Sequence, residues 1–247
     1  MLSFFSRKKT LVIGLLLLVS FLIVGKWGKQ ITLEAQQALN TLPSFRIGKK
    51  GTWSNTGGLV SMSTMEEPAL SLSSWEVSGN LDVAVYRANE SALLNYLQHD
   101  SEGKQLNAQV NVSQFEEIAS LSVNIQKDNY EGDRLDLPLS GAGIWYVSFS
   151  SAEVESGVFV IRSKNGLVIE ESKDEYIFWA QQFENLRKQG DGTVTVYDME
   201  GGTNVLSQTS VNADGLANLP FSARADLAIL RSGDDIAIAP INLQYLN

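Results

Sequence analysis

The stretch GTVTVYDMEGGTNVLSQTSVNADGLANLPF (192–221), followed after a short gap by ADLAILRSGDDIAIAPI (225–241), decides the fold. Within it Val194 and Val196, then Ala228, Ile229 and Leu230, then Ile236, Ala237 and Ile238 form short apolar runs separated by polar residues. A period of two turns alternate side chains to opposite faces, so these runs read as half-buried strands. Asn212, Ala213, Asp214 and Gly215 read as a tight turn whose Asp-Gly pair supplies a positive φ. Upstream, Leu167-Val168-Ile169 and Tyr176-Ile177-Phe178-Trp179 continue the pattern. Short strands at such spacing mark a β-sandwich.

Further upstream the same signal starts at Ala69. Leu70 and Leu72, Trp75 and Val77, then Leu81, Val83 and Val85 alternate with polar residues, with Ser78-Gly79-Asn80 as a turn. The stretch NESALLNYLQHD (89–100) interrupts the strands with a short helix, capped by Asn89 and presenting Leu93, Leu94 and Leu97 on one face. Strands resume at 109–112, 120–126, 134–139, 143–150 and 157–162. Residues 31–42 have a loose helical spacing that ends at Pro43. From Phe45 to Pro68 the Gly, Ser, Thr and Lys content reads as linker.

Charge divides the chain differently. Of its 19 Lys and Arg residues, five (Arg7, Lys8, Lys9, Lys26 and Lys29) fall in the first thirty positions, which hold no acidic residue. The other 14 stand against all 28 Asp and Glu. Between Lys9 and Lys26 runs the uncharged TLVIGLLLLVSFLIVG (10–25), which reads as an apolar segment entering a membrane. It ends VGKWGKQ, with no small-x-small cleavage signal, so the expectation is an uncleaved signal anchor. Arg7, Lys8 and Lys9 keep the N-terminus cytoplasmic and the rest is exported. A net charge of -9 opposes nucleic-acid binding.

Little catalytic chemistry is available. With no cysteine there are no disulfides, thiolate metal sites or cysteine nucleophiles, and with His99 alone no three-histidine zinc site can form. His99 follows the helical stretch and reads as an exposed residue near a helix C-terminus. The acidic pairs Glu116-Glu117, Glu170-Glu171, Asp174-Glu175 and Asp234-Asp235 sit at turns or strand ends and read as solvated punctuation rather than acid/base pairs. Asp198, Glu200 and Asp214 lack the spacing of a calcium loop. No nucleophile elbow, Walker loop or dinucleotide fingerprint occurs. Asn89-Glu90-Ser91 and Asn111-Val112-Ser113 match the glycosylation sequon. No catalytic, cofactor-binding or metal-binding residue is assigned.

Two stretches of the first block, WEVSGNLDVAVYRANESALLNYL (75–97) and GAGIWYVSFSS (141–151), resemble a macroglobulin-like (MG) domain of bacterial α2-macroglobulins. The second block resembles the next MG domain more closely. Val194, Val196, Tyr197 and Asp198 match its V-x-V-Y-D strand. Asn212, Ala213, Asp214, Gly215, Leu216 and Ala217 match its T-D-A-D-G-L-A turn, and Gly233, Asp234, Asp235 and Ala237 its closing G-D-D-x-A strand. The resemblance implies a mainly β protein made of two tandem MG-like antiparallel sandwiches. Long members of the family trap proteases and often carry a Cys-x-x-Gln thioester, which a chain without cysteine cannot form.

The expected organisation is a cytoplasmic basic tail (1–9), a transmembrane signal anchor (10–27), a juxtamembrane helix and linker (28–68) and MG-like sandwiches at 69–163 and 164–247. The expected function is a non-catalytic, membrane-anchored binding or scaffolding module without cofactor, facing the periplasm or the cell exterior. Its expected partner is an envelope or secreted protein, such as a protease or a larger macroglobulin-like chain. The alternative is a shortened or N-terminal part of an α2-macroglobulin-like protease inhibitor that works with other chains.

Overall fold

Strands that alternate apolar and polar residues must bury one face, and strands apolar on both faces must be covered twice. Both kinds occur here. The computed structural model describes residues 44–48, 58–75, 78–107, 109–126, 132–152 and 155–242. The expected tail (1–9), anchor (10–27) and juxtamembrane helix (31–42) lie outside them. Among the described residues no helix is long and apolar enough to cross a membrane.

The first sandwich has a three-stranded sheet in the order β1 (Ser44–Gly48), β3 (Ala69–Trp75), β6 (Asp133–Asp136). Facing it is a five-stranded sheet in the order β2 (Leu59–Ser63), β8 (Glu155–Ser163), β7 (Gly143–Ser150), β4 (Gly79–Arg87), β5 (Glu116–Ile125). Between them lie Leu70, Leu72, Leu81, Val83, Val85, Val147, Phe149, Val158 and Val160, all buried. The second sandwich pairs β9 (Asn165–Glu171), β10 (Glu175–Gln182) and β13 (Leu216–Pro220) with a four-stranded sheet in the order β12 (Asn204–Ser210), β11 (Thr193–Asp198), β14 (Leu227–Ser232), β15 (Asp235–Pro240). Its core sets the large Tyr176 and Phe178 against the small Ala228, Ala237 and Ala239.

A third core joins the two sandwiches. The second face of β7 and β8 presents Ile144, Tyr146, Phe159 and Ile161, and helix α1 (Glu90–Tyr96) adds Leu93 and Tyr96, with Leu97 just beyond it. Tyr197, Met199, Leu227, Ile229, Ile236 and Ile238 of the second sandwich complete this cluster. Tyr96 and Tyr146 tilt against Phe159 with ring centroids 5.0 and 5.1 Å away. The described residues from Ser44 to Asn242 thus form one compact unit of four stacked sheets with three cores.

Several local expectations change. Residues 44–48 and 59–63, read as linker, are strands; β2 pairs in parallel with β8, a non-local partnership that no hairpin spacing announces. The turn at Ser78-Gly79-Asn80 connects β3 and β4 across two different sheets rather than closing a hairpin. Residues 109–112 form no strand; Asn111 instead caps a 3-10 turn over Val112–Gln114. The helix forms where expected, its Asn89 Oδ1 accepting the Ala92 N–H at 2.9 Å.

Ile229 sits in the joining core with no exposed surface. Replacing it with alanine is expected to destabilise the protein by about 2–5 kcal/mol. Because both sandwiches share that core, Trp145 in the first and Trp179 in the second are expected to report one coincident denaturant transition. Two separate midpoints would mean the sandwiches fold independently.

Candidate functional site

The join is reinforced by polar groups at three places. Only Lys164 lies between β8 and β9, and the carboxylate of Asp235, at the start of β15, is bonded across this crossover. Its Oδ2 accepts hydrogen bonds from Ser163 Oγ (2.8 Å), Lys164 N (3.0 Å), Asn165 N (3.2 Å) and Asn165 Nδ2 (2.7 Å). The pair Asp234-Asp235 is therefore no solvated punctuation, since its second member is a structural acceptor.

His99 is also not exposed. Its side chain retains 14% of its surface, with Nε2 3.3 Å from Asp226 Oδ2 and Nδ1 2.9 Å from the Asp100 carbonyl. Its backbone bonds to the second sandwich as well: His99 N–H donates to Met199 O and its carbonyl accepts from Gly201 N–H. The helix ends within reach of the other sandwich, so His99 docks there, while Ser101, Glu102 and Lys104 of the loop after it remain exposed.

Arg231 forms the third link. It donates to Glu90 of α1, to Tyr197 Oη and to Thr195 Oγ1 (3.0 Å). Burial opposes its charge, but the bonds to Glu90 and Tyr197 outweigh that cost and hold the guanidinium above its ordinary pKa. A buried guanidinium, Arg162, ties loops of the first sandwich by donating to the carbonyls of Leu139, Thr64 and Glu66 at 2.9–3.0 Å. Sequence reasoning missed both arginines, although each ends an apolar strand where a free charge would be costly.

The remaining acidic residues stay apart. Glu116-Glu117 and Glu170-Glu171 lie exposed on edge strands, and Asp214 bonds Lys188 Nζ at 2.8 Å, which holds its carboxyl below the ordinary range. Asn212 Oδ1 accepts from Asp214 N and Leu216 N, and Gly215 has φ +76, so this segment is the expected turn. No three His, Asp or Glu residues among those described are grouped to hold a metal.

What the surface offers a partner is a strand edge. β12 (NVLSQTS) bonds only to β11, leaving the outward main-chain groups of its other side along the sheet edge. Natural edges are usually blunted by charge, proline or cover. Here β6 and β9 carry charges, β13 and β15 end in Pro220 and Pro240, and β5 begins with Glu116-Glu117. β12 and β2 (LVSMS) have neither charge nor proline, but β2 is buried at four of its five residues, whereas Val205 on β12 is 58% exposed.

No protein-family model and no curated relative matches the sequence. Solved structures do. A fragment of native α2-macroglobulin from Escherichia coli spanning domains NIE-MG1 aligns with 81% of this chain and 98% of its own, at 17% identity and a TM-score of 0.59. The fold is that of bacterial α2-macroglobulin fragments. A longer Escherichia coli fragment, MG0-NIE-MG1, aligns over 64% of its length with a TM-score of 0.58 and 16% identity. In a Salmonella α2-macroglobulin mutant the match covers 12% of that chain, with a TM-score of 0.56 and 17% identity. Identity this low establishes shared architecture and leaves function to be argued from the chain's own surfaces.

Replacing Asp235 with asparagine keeps its shape but removes the charge that four donors share. It is expected to lower stability by about 1.5–3 kcal/mol, the range for hydrogen bonds to charged groups, as an earlier urea midpoint. An unchanged midpoint would show that the crossover does not depend on this carboxylate.

Proposed function

We propose that this chain is a membrane-anchored, exported and non-catalytic polypeptide-binding module, whose rigid pair of MG-like sandwiches presents β12 to an extended segment of an envelope or secreted protein. The observation that carries this reading is the uncharged, proline-free and exposed edge of β12. An incoming strand would continue the four-stranded sheet, with main-chain bonds supplying affinity and side chains beside Val205 supplying selectivity. The apolar run at 10–25, with three basic residues before it, supports the anchor and the orientation. Because two sandwiches share a core, the edge is held on a body that loses little further entropy on binding.

A second reading, as a part of an α2-macroglobulin-like protease inhibitor acting with other chains, is supported by the likeness of fold. It would use the same body to hold a protease or a larger macroglobulin-like chain.

A photo-crosslinking residue at position 205 of the full-length protein, in its native membranes, is expected to give a discrete adduct that the same probe at Glu170 on β9 does not. Substitution of the neighbouring Ser207 by lysine is expected to weaken that adduct strongly, because a charge on an edge opposes strand addition. Identical patterns from both positions would rule out β12 as the docking strand. A protease or macroglobulin-like chain as the adduct would select the inhibitor reading.

A further inference from the structure

Away from β12, a cavity of about 300 Å³ opens between α1, Asn107 and residues 109–115. In a chain rich in acidic residues its lining holds no charged side chain at all. Apart from the Tyr96 hydroxyl, which is bonded to the Gly157 carbonyl, the polar side chains are carboxamides and Ser91: Asn89, Asn95, Gln109, Asn111 and Gln114, with Asn107 at the wall. Glu90 of the same helix turns its carboxylate to Arg231, with Arg231 Nε 3.0 Å from Oε2, so that charge is neutralised away from the cavity.

Two of these amides are fixed in orientation by their local roles. Asn89 Oδ1 accepts the Ala92 N–H, and Asn111 Oδ1 accepts from Ser113 N and Oγ at 3.1 and 2.7 Å. These bonds fix the orientation of each amide, and neither Nδ2 group has a hydrogen-bond partner among the described residues. Asn107 Nδ2 lies 3.2 Å from both Asn95 O and Asn95 Oδ1, which braces the wall. Ser91, Gln109 and Gln114 are exposed, and their side chains make no hydrogen bond among the described residues, so each offers both a donor and an acceptor. The half-buried Phe115 supplies apolar surface beside them.

Fixed donors, free amides and an aromatic surface without charge complement a ligand whose groups both donate and accept and which carries no charge itself. Hydroxyl groups on a sugar ring have that character, with the C–H face of the ring available to the aromatic surface. A charged ligand would find no counter-ion here and would lose hydration without compensation. A peptide needs pockets for its side chains, which the amide lining does not provide. We propose that the cavity between α1, Asn107 and residues 109–115 binds a neutral saccharide, independently of the β12 edge.

The test is titration of the full-length protein, in detergent, with N-acetylchitotetraose and with maltotetraose, followed by calorimetry. Saturable binding of at least one is expected. The double variant Gln109→Ala/Gln114→Ala, which removes two exposed side chains without partners, is expected to bind about tenfold more weakly, the loss of ~1.4 kcal/mol that two modest hydrogen bonds supply. Its thermal midpoint is expected to stay unchanged. Absence of saturable binding to both tetrasaccharides overturns the proposal, as does binding that the double variant leaves intact. A Val205→Lys variant is expected to bind the saccharide normally, which separates this site from the polypeptide edge.

Discussion

Two sheets of this protein are apolar on both faces, and everything else in the fold follows from the need to cover them. In β7 and β8 successive residues point alternately into two cores, so Val147 and Phe149 meet the three-stranded sheet while Tyr146 and Phe159 meet the other sandwich. In β14 the same division sends Ala228 and Leu230 inward and Leu227 and Ile229 toward the first sandwich. Fully burying one such large apolar side chain contributes about 1.5–3 kcal/mol, and the joining cluster holds many of them. Neither sandwich could expose this surface to water at small cost, which is why the pair forms one body.

The polar groups at the join act on geometry more than on gross stability. Buried charge is costly unless bonded, and here Arg231, Asp235 Oδ2 and the His99–Asp226 pair each meet partners contributed by both sandwiches, while Asp235 Oδ1 is buried without a hydrogen-bond partner among the described residues. An apolar core tolerates small rotations of one sheet over another, whereas a carboxylate sharing four donors does not. The single-residue crossover at Lys164 then fixes the relation of β8 to β9. A rigid relation between the sandwiches is what gives an exposed strand such as β12 a defined direction.

Much of this was legible in the sequence. Most period-two runs, the cap at Asn89 and the Asn212–Gly215 turn are local features whose physics acts within a few residues, and they appear where their residues place them, the run at 109–112 excepted. What stayed hidden was non-local. Parallel pairing of β2 with β8 brings together segments roughly a hundred residues apart, and a Gly- and Ser-rich neighbourhood masks LVSMS as linker. His99 reads as exposed because nothing near it in the chain announces Asp226. The edge of β12 could be seen as an uncharged run, but only the sheet order shows that it lies at an edge.

The joining core also sets the order in which the molecule can be completed. During synthesis the first sandwich emerges with Tyr146, Phe159, Ile161, Leu93 and Leu97 facing outward, and their cover arrives only when Leu227, Ile229, Ile236 and Ile238 have followed. Until then the nascent chain carries an adhesive apolar face of the kind that invites misassembly. A protein whose two sandwiches are joined this way is most vulnerable in the interval before β14 and β15 appear, and that interval is when a chaperone would have its greatest effect on yield.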